Sequence, residues 1–291
     1  MFKPLSIAIL AASLFASPIA FSADKTSVKI SAPWEINSYD PAVSGFAFHR
    51  LQVMETLVDA DTKGVLIPGL ATEWSATEDG MSWTLTVREG VKFHNGTAMT
   101  AELVAKSLNT ALAKPGMLKK APIKSIEAKD GKILIQMEKP FSALPALLTH
   151  NTTVISAPAS IDAEGNAVAA IGTGPFAIET FTPPQGLSLK RNDDYWGDKA
   201  LLESASYLAT SRAETRALIA ESGDADLVFN LDPSGFARLK DVDSVTAMAD
   251  AIPRVVSLKL NASHKFLDDA RARQALSMAI NRQGIATAIT R

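Results

Sequence analysis

The 291-residue chain contains no cysteine. Disulfides, thiolate zinc sites, cysteine nucleophiles, thiol redox chemistry and a lipid-modified cysteine anchor are therefore excluded. Only four histidines are present, and His49, His94, His150 and His264 are too scattered to make a sequence-local metal site. An excess of one charge is missing too. The 29 Lys and Arg against 31 Asp and Glu leave a net charge of −2, with no basic face to suggest nucleic acid. Internal repeats and low-complexity runs are absent. So are His-Glu-x-x-His, Gly-x-Ser-x-Gly and Walker A patterns, which leaves metalloprotease, nucleophile-elbow and P-loop chemistry without signatures. The paired acids Glu78-Asp79 and Asp268-Asp269 fit a turn and a helix cap better than general acid–base work.

What is present begins with an export signal. Lys3 gives a short positive start, Leu5 to Phe15 is an apolar run too short to span a bilayer, and Ala20-Phe21-Ser22-Ala23 supplies small residues for cleavage after Ser22 or Ala23. With no cysteine to lipidate, residues 1–23 predict a free, soluble periplasmic protein.

The most legible stretch runs from Gly69 to Leu108. Ala71–Ser75 and Ser82–Val87 flank the turn Glu78-Asp79-Gly80, and Trp83, Leu85 and Val87 alternate with hydroxylated residues as in a half-buried strand. Glu89-Gly90 and Asn95-Gly96 turn the chain again. Thr100 predicts an N-cap, and Val104, Leu108 and Leu112 the buried stripe of the helix after it. Elsewhere, Val28–Ser31 predicts a strand, Asp40-Pro41 an irregular loop, and Ala47–Val58 a helix. Ile123–Ala128 and Ile133–Met137 predict a hairpin about Asp130-Gly131, with a short helix at Leu144–Leu148. Ser211 to Glu214 reads as a capping box, Gly223 as a helix stop, and Asp226–Phe229 and Val255–Leu260 as strands. Asp268 or Asp269 caps a last helix whose Ala272, Ala275, Leu276, Ala279 and Ile280 face inward.

Three motifs carry a family resemblance. The order L-A-x-x-W…D-G-x-x-W…R-x-x-V-x-F-H-x-G in residues 70–96, Gly172-Thr173-Gly174-Pro175-Phe176 with the later Asn192-Asp193-Asp194-Tyr195-Trp196, and R-x-A-L-x-x-A-I-x-R at 273–282 resemble bacterial extracellular solute-binding proteins of the peptide/nickel type (family 5). Glu55-Thr56-Leu57 resembles a fourth, smaller element. The Gly172–Phe176 run fails as a phosphate loop, because no Lys-Ser/Thr follows and Pro175 removes a donor. It reads as a tight turn where glycine permits close backbone approach.

The resemblance implies an α/β chain with the two-lobed periplasmic-binding-protein fold of type II and an extra small α+β subdomain, its second lobe largely missing. Lobe I is expected over 24–55 and 170–260, the inserted subdomain over 56–169, and the start of lobe II over 261–291. The implied function is capture of a peptide or a nickel or other metal chelate in an interlobe cleft, with delivery to the permease subunits of an ABC importer. The protein is expected to be a monomer and not an enzyme, with no cofactor and no nucleic-acid partner. A truncated, non-functional receptor remnant and a periplasmic hydrolase are the alternatives. The Asp-Pro loop is expected to border the cleft, and Phe46, His49, His150 and Asn151 are its candidate ligand-binding residues. Nickel-type relatives tend to carry arginine near 150–157 to hold carboxylates; here there is none, and His150 is the substitute candidate.

Overall fold

The structure, a computed structural model, describes residues 26–250 and 256–287. The export signal over 1–23 and Val255 of the last predicted strand lie outside those residues. The chain opens with β1 (Ser27–Ala32), α1 (Pro41–Arg50), β2 (Val58–Ala60), β3 (Leu66–Pro68), β4 (Ala71–Ala76) and β5 (Ser82–Val87). It continues through α2 (Ala101–Ala113), β6 (Ile123–Lys129), β7 (Lys132–Met137) and α3 (Leu144–Leu147) to β8 (Phe176–Thr182), β9 (Gly186–Arg191) and β10 (Ser204–Ala209). Last come α4 (Ala213–Ser222), β11 (Leu227–Val228), α5 (Pro233–Leu239), α6 (Ala270–Ala279) and α7 (Arg282–Ile285).

The first sheet has the order β11-β1-β10-β9-β8. β1 runs parallel to both neighbours, pairing Ile30 with Tyr207 on one side and with Leu227 on the other. β8, β9 and β10 are antiparallel, and the connection over 183–185 between β8 and β9 is too short to do anything but reverse the chain. Period-two alternation puts Leu187 and Leu189 of β9 and Ala205 and Tyr207 of β10 inside, against Ile36, Phe48, Met54 and Phe176.

α1 differs from the predicted helix over 47–58. It starts at Pro41 and stops at Arg50. Asp40 accepts a hydrogen bond from the Ala42 amide at 2.9 Å and Pro41 takes the first helical position, so Asp-Pro is a helix start rather than an irregular loop. Beyond Arg50 the chain folds back, with the Val53 amide bonded to the Phe48 carbonyl at 2.8 Å. The helical spacing of Met54 and Leu57 arises from two residues entering different cores, Met54 the first and Leu57 the second.

The second core is built on the antiparallel sheet β4-β5-β7-β6, with β2 and β3 as a separate pair. Trp83 faces Ile135 and Leu85 faces Ile133 across β5 and β7. The β4–β5 turn needs Gly80, whose φ is +65°. Thr100 caps α2, its hydroxyl accepting from the Leu103 amide at 3.4 Å. Val104 and Leu108 of α2 are fully buried with Leu85, Ile133 and Ile135, each such side chain contributing about 1.5–3 kcal/mol.

Three further predictions are corrected. The predicted capping residue Ser211 lies one position outside the cap of α4, which is Arg212 and makes no side-chain cap bond. Arg216 of the helix instead takes the Ser211 carbonyl at 2.9 Å. Residues 256–260 form no strand, and Val256 and Leu258 are 88% and 76% exposed. α6 is capped by Asp269 as expected, but none of its residues is buried. Its apolar stripe shows which face requires cover, and no described element supplies it.

Candidate functional site

Two of the three sequence motifs, those of residues 70–96 and of 172–176 with 192–196, meet around one carboxylate, Glu55, which lies between the two cores. Its Oε2 accepts from the Thr173 hydroxyl at 2.7 Å and from the Trp196 indole N–H at 3.0 Å, and its Oε1 from the Tyr195 hydroxyl at 2.9 Å. Burial, and then the charge of Glu55, push the Tyr195 phenol far above its ordinary value, so it remains a donor. The Arg88 guanidinium stacks 4.1 Å from the Trp196 ring centroid and donates to the Gly69 carbonyl. The Gly174 carbonyl accepts from the Asn192 amide at 3.0 Å and from His94 Nε2 at 3.0 Å, which places the imidazole proton on Nε2. Burial holds His94 below the ordinary histidine value, with that bond working against it. A Cβ on Gly172 or Gly174 would collide with the carbonyl oxygens of Val53 and Gln52. The motif residues are thus committed to one another. They fasten the Gly172–Phe176 turn to the segment after α1 and leave little free for a solute.

That fastening seats α1 against the short 3-10 turn Asn151–Thr153. Gly45 lies so close to the Asn151 carbonyl that no side chain fits between them. Phe46 and His49, three residues apart, share a face of α1. Phe46 is half-buried against the first core. His150 lies close enough to His49 to sense its charge. Four residues nominated from sequence, Phe46, His49, His150 and Asn151, are therefore gathered at one seam. Burial lowers the His49 value most, Asp59 and Glu55 oppose it, and Arg50 adds to it. Burial, Lys120 and His49 all lower His150. Both shifts favour the neutral imidazole. The His150 Nδ1 lone pair already accepts from the Thr152 amide at 3.2 Å, so its neutral ring carries the proton on Nε2 and offers a donor there. Among the described residues no three His, Asp or Glu side chains come together to hold a metal ion.

Beside this seam lie the carboxyl ends of β1, β10 and β11, the edge of an open α/β sheet where ligands bind. Arg216, 4% exposed, closes that edge from beneath by donating to the carbonyls of Thr210, Ser211, Phe229 and Asn230 at 2.6–3.0 Å. Tyr207 donates its hydroxyl to the Trp34 carbonyl at 2.6 Å, and burial raises its phenol to about 12. Above them Trp34 packs on Phe229, centroids 6.0 Å apart, and the exposed Arg50 lies 5.4 Å from the Trp34 ring. Sequence reasoning missed Arg50 and Phe229. The only signal for Arg50 was its place next to His49, and for Phe229 there was none, because its pairing with Trp34 spans the whole lobe.

Away from the nominated residues, a cavity of about 140 Å³ opens between the start of α1, one face of α2 and the segment 152–162. Leu103, Ala111, Val154 and Ile161 give it apolar walls, and Lys106, Ser107, Thr110, Thr152, Ser156 and Asp162 line it with polar groups. At one end Lys114 donates to Asp40 at 2.6 Å in a largely covered ion pair.

The family model for bacterial extracellular solute-binding proteins, family 5 (Middle), matches residues 65–291. The glutathione-binding protein GsiB of Escherichia coli O1:K1 is 28% identical over 224 residues, which is 74% of this chain and 44% of GsiB. A nickel ABC transporter structure from Bacillus halodurans is 31% identical with a TM-score of 0.73, over 90% of this chain and 55% of that one. The periplasmic binding protein DppA of Helicobacter pylori, solved with the peptide STSA, shares the fold at a TM-score of 0.77 and 24% identity, over 90% and 58% of the two chains. The chain thus spans about half the length of the relatives it matches. Its mixed sheets and its three motifs have the same explanation: this chain belongs to the bacterial extracellular solute-binding proteins, family 5.

Proposed function

We propose that this chain carries the first ligand-gripping half of a periplasmic receptor that delivers a small peptide or metal chelate to the permease subunits of an ABC importer. The observation that supports this most is the gathering of Phe46, His49, His150 and Asn151 on one seam, next to the carboxyl ends of β1, β10 and β11. In this reading lobe I comprises residues 24–55 and 170–260, and the unit 56–169 is inserted into it. The His49 imidazole offers a lone pair to a chelated metal or to a peptide N–H, His150 offers its Nε2–H to an acceptor, and Arg50 offers a guanidinium to a carboxylate. Contacts made by one solute to two lobes would favour the closed state, and that closed state is what a permease reads. Binding without chemistry is the expected behaviour.

The test is calorimetric titration of the folded chain with glutathione, a dipeptide mixture, nickel, and nickel with excess histidine. Saturable binding of one class, with the solute recovered intact, supports the proposal. Turnover of a peptide, or no binding of any class by a cooperatively folded chain, refutes it.

A further inference from the structure

Backbone carbonyls crowd the carboxyl ends of β1, β10 and β11, yet here they are already bonded. The Ser31 carbonyl accepts from the Phe229 amide at 2.9 Å, and the Ala32 carbonyl from the Thr210 amide at 2.7 Å. Arg216 takes the carbonyls of Thr210, Ser211, Phe229 and Asn230, and Tyr207 takes that of Trp34. The Thr210 hydroxyl accepts from that of Ser31 at 3.1 Å. Nearby acids have their own partners. Asp232, which senses Arg216, accepts from the Gly235 amide at 2.8 Å and the Ser234 hydroxyl at 2.6 Å. Glu55 is held by Thr173, Tyr195 and Trp196, and Asp59, which accepts from the Ala60 amide at 2.7 Å, acts on His49. Glu35, exposed beside Trp34, forms no ion pair with Arg50.

Donors are in surplus at the same edge. Arg50 ends α1, is exposed, and lies over the Trp34 ring at 5.4 Å from its centroid. Among the described residues no carboxylate or carbonyl takes its N–H groups. A guanidinium resting on a ring is held in place without using an N–H, so its planar fork stays open. Arg216 has only uncharged partners, so its buried charge is not cancelled within hydrogen-bond reach. Burial raises the Tyr207 phenol, while its bond to Trp34 and the charges of Arg216 and Arg50 pull the other way. Two cations thus act on one spot where the acceptors are spent.

We propose that Arg50, seated on Trp34, selects solutes that carry a free carboxylate and rejects those whose carboxyl groups are blocked. This rests on the receptor reading above and narrows it: among peptides and metal chelates, those with an open carboxylate are the cargo. A guanidinium meets a carboxylate fork to fork, through two parallel charge-assisted bonds. Phe229, 40% exposed and packed on Trp34, gives the carbon that bears the carboxylate an apolar floor. Phosphate is the poorer match, since its remaining oxygens would face carbonyls and a hydroxyl already bonded. Arg216 adds attraction from beneath without touching the solute.

Calorimetric titration of the folded chain with three pairs tests this: glutathione and its diethyl ester, Ala-Phe and its amide, and nickel with excess histidine or histidinamide. In any pair that binds, the free acid is expected to be at least about tenfold tighter. Arg50→Gln should weaken the acid by about tenfold or more and leave the blocked partner unchanged, whereas a merely structural residue would weaken both alike. Arg50→Lys should keep part of the preference, because an ammonium is a point charge rather than a fork. Lys129→Gln, which removes an exposed positive charge on β6, should change neither. Inorganic phosphate should compete no better than sodium chloride of the same ionic strength. A blocked solute within about twofold of its acid, a preference that survives Arg50→Gln, or displacement by phosphate would overturn the proposal and leave a receptor that still binds. Should Arg50→Gln fail to fold, the comparison of acid with blocked solute on the unaltered chain decides. No saturable binding in any pair would refute the receptor reading, and this inference with it.

Discussion

Replacing Glu55 with alanine removes the acceptor shared by Thr173, Tyr195 and Trp196. Hydrogen bonds to a charged group contribute about 1.5–3 kcal/mol each when their partners are cut off from water. Glu55 is only half-buried, and water can reach some of the freed donors. The expected loss is therefore about 2–4 kcal/mol rather than the full sum, still a large share of the ~5–15 kcal/mol that holds a domain together. Glu55→Gln should lose less, about 1–2 kcal/mol, because an amide oxygen still accepts while its NH2 faces a remaining donor. Urea unfolding at pH 7.5, followed by tryptophan fluorescence and circular dichroism, measures both. Trp196 sits in the cluster, so its fluorescence should report the change directly. The cycle Glu55→Ala with Tyr195→Phe should show a coupling of about 0.5–2 kcal/mol, as for groups in one network. Because Glu55 lies between the residue that enters one core and the residue that enters the other, losing it should also separate the two probes into non-coincident transitions. A loss under about 0.5 kcal/mol, or strictly additive effects in the cycle, would refute the claim that this carboxylate fastens the fold.

Three other outcomes follow from the same geometry. Gly172→Ala should cost about 1–3 kcal/mol in chemical denaturation, since its Cβ meets the Val53 carbonyl and the backbone has to move. Arg216→Met keeps the bulk but deprives four carbonyls of their donor. It should cost about 2–4 kcal/mol and speed amide exchange at residues 210–211 and 229–230. His49, His94 and His150 all titrate below 6.5 in the fold. The unfolded chain therefore binds more protons just below that value, so stability is complete above about pH 6.5 and is lost as pH falls through the folded values. Unfolding midpoints should drop between pH 7 and pH 5, and His94→Gln should flatten part of that slope.

Much of this fold could be read locally. The β4–β5 hairpin follows from alternation about Glu78-Asp79-Gly80, α2 from the Thr100 cap and its apolar stripe, and the β6–β7 hairpin from Asp130-Gly131. Each depends on neighbours in sequence. The failures depend on distance. Met54 and Leu57 matched a helical period because two cores pull on adjacent stretches of chain. Ser211 matched a cap, yet its carbonyl is held by an arginine one turn into the helix. α6 matched an amphipathic helix, but a stripe does not carry its own cover. For the candidate site, the histidines and Asn151 were nominated by likeness to a family, whereas Arg50 and Phe229 required contacts across β1 and β11 that no spacing records. The motifs were the reverse case. They were conspicuous in sequence, and in the structure the first two hold each other rather than a ligand.

The most direct test of the receptor account is hydrogen–deuterium exchange of the folded chain, free and with glutathione or nickel–histidine at saturating concentration. The account expects one of these solutes to protect residues 41–50 and 149–153, with lesser protection at 33–35 and 229–230. Protection confined to the outer sheet of β4–β7, or binding that leaves α1 and the Asn151 turn unchanged, would contradict it.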